Sequence, residues 1–118
     1  APHRGRSLVV PASGSNRTIT LPAPGAGHTY KLIYGGAAEE AENLIIVTPG
    51  NTNFFIGCIV HLDSNADNTS IYSNGSSNSK LTLTDFGCFE INIIAKDSTN
   101  YFIHGYAESA DAPAFADQ

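Results

Sequence analysis

The stretch Arg17–Gly36, RTITLPAPGAGHTYKLIYGG, decides how this chain is read. From Arg17 to Leu21, Ile19 and Leu21 point one way and Thr18 and Thr20 the other, the period-two pattern of a half-buried strand. Pro22-Ala-Pro-Gly-Ala-Gly27 then breaks regular structure, because the prolines fix φ and remove donors while Gly25 and Gly27 permit positive φ. His28–Tyr34 resumes the alternation with Tyr30, Leu32 and Tyr34 on one face, and Gly35-Gly36 stops it. This is strand, turn, strand.

The same signals recur outward from this frame. Upstream, Ser7–Val10 is a short apolar run stopped by Pro11, which predicts an edge strand. Residues 1–6 (APHRGR) have no periodicity and read as a flexible arm. Downstream, Leu44–Val47 is apolar on both faces, as in a central strand, and Phe54–Asp63 alternates as the longest strand. In it Gly57 marks a bulge or a close backbone approach. Ser64–Lys80 is a polar loop broken by Ile71-Tyr72, with a hairpin-turn signal at Asn74-Gly75. Leu81–Thr84, Cys88–Lys96 and Tyr101–Ala107 alternate again, the last two as a hairpin with Phe89, Ile91 and Ile93 inward. The best helical run, Ala37–Asn43, makes at most about two turns.

Eight or nine short strands without a convincing helix predict an all-β, single-domain β-sandwich, jelly-roll-like, spanning residues 7–107. A basic arm (1–6) precedes it and a small, acidic tail (108–118) follows it.

At 118 residues the chain can bury a core without metals or several disulfides. Its net charge of −5 excludes the usual nucleic-acid-binding composition. The distribution says more than the sum. Residues 1–38 hold Arg4, Arg6, Arg17 and Lys31 and no acid, whereas all 11 acids follow. A basic arm on an acidic body predicts an acidic docking partner. The chain shows no secretory segment and no apolar run of membrane-spanning length. Its start at Ala1 fits a bacterial cytoplasmic product that has lost its initiator Met. Cys58 and Cys88, both in apolar strand patterns, read as two buried free thiols, with one disulfide as the alternative.

Chemistry-bearing motifs are weak throughout. Asp63-x-Asn65-x-Asp67-x-Thr69 opens like a calcium loop, but Asn68 stands where Gly is required and Asn74 where a bidentate Glu is required. His3, His28, His61 and His104 lack metal-ligand spacing. Ser, His and Asp residues are present without a nucleophile elbow to frame them, and Glu39, Glu40 and Glu42 read as a solvated turn. These residues predict no enzyme, no metal and no cofactor. Tyr30, Tyr34, Tyr72 and Tyr101 would suit a glycan-binding face if they were exposed.

Two segments carry a family resemblance. Ile19–Gly36 resembles a Thr-rich strand, an L-P-A-P-x-x-G turn and an aromatic strand. Lys96–Gly105, KDSTNYFIHG, resembles a D-G-T-N-W-Y-V-x-G pattern through Asp97, Thr99, Asn100 and Gly105, with Tyr101 for Trp and Ser98 for Gly. Both patterns occur in small β-proteins encoded near the head genes of tailed phages, which are similar to capsid decoration (cement) proteins. That resemblance implies a virion protein made in the bacterial host. It would bind the outside of the assembled head, stabilise it, and associate with itself as a homotrimer. The major capsid protein is then the expected partner, with no nucleic acid or membrane. The arm and the opening strands supply the expected contacts: His3, Arg4, Arg6, Leu8 and Arg17. A host-recognition or glycan-binding module of a fibre or spike is the alternative.

Overall fold

A computed structural model of the chain describes residues 6–118 apart from Ser13 and Ala26, and of Arg6 the backbone alone. The expected arm therefore lies outside the described residues except for Arg6. Ten strands follow one another: β1 (Arg6–Val10), β2 (Arg17–Thr20), β3 (Thr29–Tyr34), β4 (Leu44–Val47), β5 (Phe55–Asp63), β6 (Thr69–Tyr72), β7 (Lys80–Leu83), β8 (Phe86–Ala95), β9 (Tyr101–Ser109) and β10 (Ala114–Ala116). They form a six-stranded sheet, β1-β3-β8-β9-β5-β6, and a four-stranded sheet, β10-β7-β4-β2. No described segment is helical; Ala37–Asn43, the best helical run, is irregular, with bends at 37–38 and 41–42.

The two sheets make a β-sandwich around one core. Alternation aims Leu32, Ile91 and Ile103 of the large sheet inward, against Leu44, Ile46 and Leu81 of the small one, each at most 2% exposed. Burying one such side chain stabilises the fold by about 1.5–3 kcal/mol. Three pairs are parallel: β1 with β3, β2 with β4, and β5 with β9. A jelly roll is built from antiparallel Greek keys, so the three parallel pairs lend the expected jelly-roll order no support. Periodicity assigns faces, whereas strand order depends on crossovers that it does not report.

The opening stretch is tied to the core at its turn. Tyr101, fully buried on β9, donates its hydroxyl to the Pro22 carbonyl at 2.8 Å. Burial, and after it the neighbouring Tyr30 phenol, pushes the Tyr101 pKa far above its ordinary 10. The two segments that carry the family resemblance thus meet at one hydrogen bond.

The residues expected as an acidic tail are part of the sheets. β9 continues to Ser109, and β10 pairs with β7 from Ala114 to Ala116. Phe115 packs edge-on against Phe55 at 6.3 Å, and the Gln118 amide donates to the Thr48 carbonyl at 2.9 Å. The three-residue strand Ala-Phe-Ala offers too little periodicity to be legible, although its single aromatic marked the place.

Both cysteines are free, Cys58 half-buried and Cys88 exposed. The expectation of two buried thiols fails because each occupies the outward phase of its strand. Cys88 precedes the inward Phe89, and Cys58 precedes the inward Ile59.

The β8–β9 turn is built on Asp97, whose carboxylate accepts from the Thr99 and Asn100 amides, both at 2.8 Å, and from Lys96 Nζ at 3.0 Å. The Lys96 bond first, then the two amides, lowers its pKa from 3.8 to about 2. A depressed carboxyl pKa contributes stability that is complete above the unfolded value and is lost as pH falls through the folded one. The turn should therefore loosen between about pH 4 and pH 2. An NMR titration should place the Asp97 midpoint near 2; a midpoint at the ordinary carboxyl value would contradict this geometry.

Candidate interaction surfaces

Three places in the sandwich invite a functional reading, and the first looks like chemistry. His61 Nε2 lies 3.1 Å from Ser109 Oγ, and His61 Nδ1 lies 4.0 Å from Asp63 Oδ2. The order Ser, His, Asp suggests a nucleophile triad that sequence spacing did not reveal. Hydrogen-bond roles decide otherwise. Ser109 Oγ donates its proton to the Asp111 carbonyl at 2.6 Å, and the Ser109 carbonyl stands 3.0 Å from the same Nε2. Both Ser109 oxygens therefore face Nε2 as acceptors, so Nε2 carries the hydrogen and cannot take one from serine. With His61 2% and Ser109 1% exposed, the cluster is a brace joining the ends of β5 and β9. Nearby, the Asp63 carboxylate caps the Asn65 amide at 2.8 Å, closing the calcium-like loop as an Asx turn. Among the described residues no group of three or more His, Cys, Asp or Glu is placed to hold a metal ion.

The second place is the outer face of the six-stranded sheet. Val9, Val60, Tyr72, Ile94, Phe102 and Tyr106 are the large apolar side chains that remain exposed, Tyr72 most of all at 70%. The register puts all six on this one face, since Val9 neighbours Ile33, Val60 neighbours Tyr106, and Ile94 neighbours Phe102. A polar row crosses it: Ser7, Lys31, Asn92 and His104 stand side by side on β1, β3, β8 and β9. Lys31 Nζ reaches Glu90 Oε1 at 3.4 Å. Of the four tyrosines considered for a glycan face, Tyr30, Tyr34 and Tyr101 are buried and only Tyr72 is exposed.

The third is the edge where β1 and β2 lie side by side, each the last strand of its sheet. Between them runs an open groove of about 520 Å³, lined by Leu8, Val9, Val10, Pro11, Thr18 and Ile19 among others. The opposite edge has Phe115 to cover it. This one has no equivalent among the described residues.

The expected contact residues divide between these places. His3 and Arg4 lie outside the described residues, and Arg6 is the first residue of β1, opposite Tyr30. Leu8 packs half-buried against the core and lines the edge groove. Arg17 is not beside Arg6. It starts β2 at the far end of the sandwich, lining a small cavity with Glu40 and Glu42 and also the edge groove that Leu8 lines. The chain turns round between β1 and β2, so proximity in sequence becomes separation along the strand axis, by about 13 Å over the four steps of β1.

That separation belongs to a larger pattern. At the end where β5 and β9 finish and β3 passes into β4 lie Glu39, Glu40, Glu42, Asp63, Asp67, Asp85, Glu108 and Asp111, eight of the 11 acids. Arg17 is the one Lys or Arg placed there among the described residues. The other end holds Arg6, Lys80 and Lys96 with Asp97 and Asp117, and the chain enters β1 from that end. The molecule is electrically polarised along its strands, a feature that composition alone could not show.

Comparison with protein-family models, with curated proteins and with solved structures finds no match to this chain.

Proposed function

We propose that this protein is a capsid decoration protein, which adds to the outside of an assembled phage head and stabilises it by binding. The charge polarisation carries the reading. An acid-rich chain that keeps Arg6, Lys80 and Lys96 at the end away from most of its acids, and enters its first strand there, is suited to stand with that end on an acidic protein surface. Opposed charges steer such encounters and fix orientation more than they add raw affinity. The residues before β1, with His3 and Arg4, would extend from the basic end to the major capsid protein, Arg6 and Leu8 forming the root of the contact. Arg17 stands apart, among the acids. The work is mechanical: several copies, joined as a homotrimer, tie shell subunits together, with neither catalysis nor a cofactor. The site of action is the virion surface, after synthesis in the bacterial host.

Deleting residues 1–5 leaves β1 whole and tests this directly. The truncated chain should fold as before, bind purified heads roughly ten- to hundredfold more weakly, and show a shallower salt dependence. Unchanged affinity and salt dependence would sink the proposal. The alternative, a glycan-binding module, is disfavoured by the burial of Tyr30, Tyr34 and Tyr101. A positive glycan-array or host-cell binding result would restore it.

A further inference from the structure

We infer that the outer face of the six-stranded sheet is the surface through which copies of this chain join. This rests on the proposed function only in that it gives the expected self-association a place. The face itself is read from exposure and register.

Its size fits the task. The six exposed apolar side chains leave roughly 500 Å² of apolar surface uncovered, taking a full aromatic side chain as about 150–250 Å². Divided by the polar row, this total stands in the upper part of the about 300–600 Å² range of a monomer's largest apolar patch, which is often functional. With the polar row added, the face approaches the ~800 Å² per partner of a stable protein interface.

Its charge points to a second copy as the occupant. The chain carries −5 overall, so two copies repel unless they meet where charge is balanced. Lys31 and Glu90 pair with each other across the middle of this face. The acid-rich end and the basic end both lie beyond it. A strongly acidic or basic partner would gain nothing here, whereas a copy of the same chain meets no net charge.

Its polar centre points the same way. Among the described residues the side chains of Asn92 and His104 have no hydrogen-bond or ion-pair partner, and covering them with a purely apolar surface would strand them without water or protein to bond. An amide carries both donors and acceptors, and an imidazole one of each. Asn92 and His104 can therefore satisfy the same two residues of a neighbouring copy, which few unrelated surfaces would do.

The face also carries its own reporters, Cys58 and Cys88, neither of which is bonded. The experiment is the native mass of the full chain by sedimentation equilibrium, combined with thiol labelling. The wild type should have a mass at least twice the 12.4 kDa of one chain, and its thiols should react more slowly as protein concentration rises. Phe102→Asp changes an exposed side chain and should return the mass to that of one chain, which still unfolds cooperatively but with a midpoint that no longer depends on protein concentration. Ile94→Asp should do the same. Thr18→Asp, on the β2 edge, should leave the mass unchanged. A monomeric wild type, or a multimer indifferent to both face substitutions, would overturn the inference. The two readings fail separately. A chain dispersed by Phe102→Asp that never binds heads removes decoration and keeps the interface. A chain that binds heads with its mass unaltered by either face substitution does the reverse.

Discussion

Gly105→Ala should cost roughly 3–5 kcal/mol and leave much of the chain unfolded at ambient temperature. Gly105 sits at the middle of β9 with φ +148°, and a Cβ there would lie 2.0 Å from the Glu90 carbonyl oxygen of β8. Gly57 on β5 repeats the arrangement from the other side, with φ +134° and the Ile103 carbonyl oxygen 2.2 Å from a built Cβ. The obstacle at both sites is backbone of a central strand, which cannot move aside as a flexible side chain would. Gly57→Ala should therefore be similarly damaging. Gly50→Ala is the control, since a Cβ there meets nothing within 4 Å. Urea unfolding of the three variants gives the comparison. Midpoints for Gly57→Ala and Gly105→Ala within error of Gly50→Ala would show that the strands do not approach so closely.

Ending the chain after Pro113 should be nearly as destructive, in contrast to the harmless deletion at the other end. It removes β10 from the small sheet and Phe115 from Phe55, which is fully buried. It also removes the Gln118 backbone amide and side-chain amide that donate to Ser79 Oγ and to Thr48. A fully buried Phe is worth about 3–5 kcal/mol; half-buried Phe115 supplies part of that, and with the lost β10 pairing and Gln118 bonds thermal melting should show a large drop or no cooperative transition. Phe115→Ala isolates the aromatic share of that loss. A truncated chain that melts like the full one would mean that residues 114–118 do not close the sandwich.

Most of the fold was legible because alternation is a local property. Tyr30, Leu32 and Tyr34 announced an inward face, as did Phe89, Ile91 and Ile93, and these side chains form the core. Gly57 was legible as a close approach because glycine inside a strand has few other uses. What escaped was non-local. Nothing in Ala-Phe-Ala distinguishes an edge strand from a tail until β7 lies beside it. Nor does the spacing of His61 and Ser109, 48 residues apart, reveal that β5 and β9 run in parallel and end together. The interaction surfaces were partly legible. The acid-free first third pointed to a basic contact, but only the turn between β1 and β2 shows that Arg6 and Arg17 belong to opposite ends. The polar row of Lys31, Asn92 and His104 comes from three strands and exists only after pairing.

The parallel pairing of β5 with β9 also sets a timetable. As the chain is synthesised from its N-terminus, β5 can pair with β6 as a hairpin soon after both have emerged. Its other edge waits for Tyr101, 46 residues beyond its partner Phe55. Until then the side chain of Phe55 and the unpaired amides of β5 are open to wrong partners, an aggregation risk for any exposed strand edge. Such long-range parallel closure belongs to the slow folding regime of milliseconds to seconds.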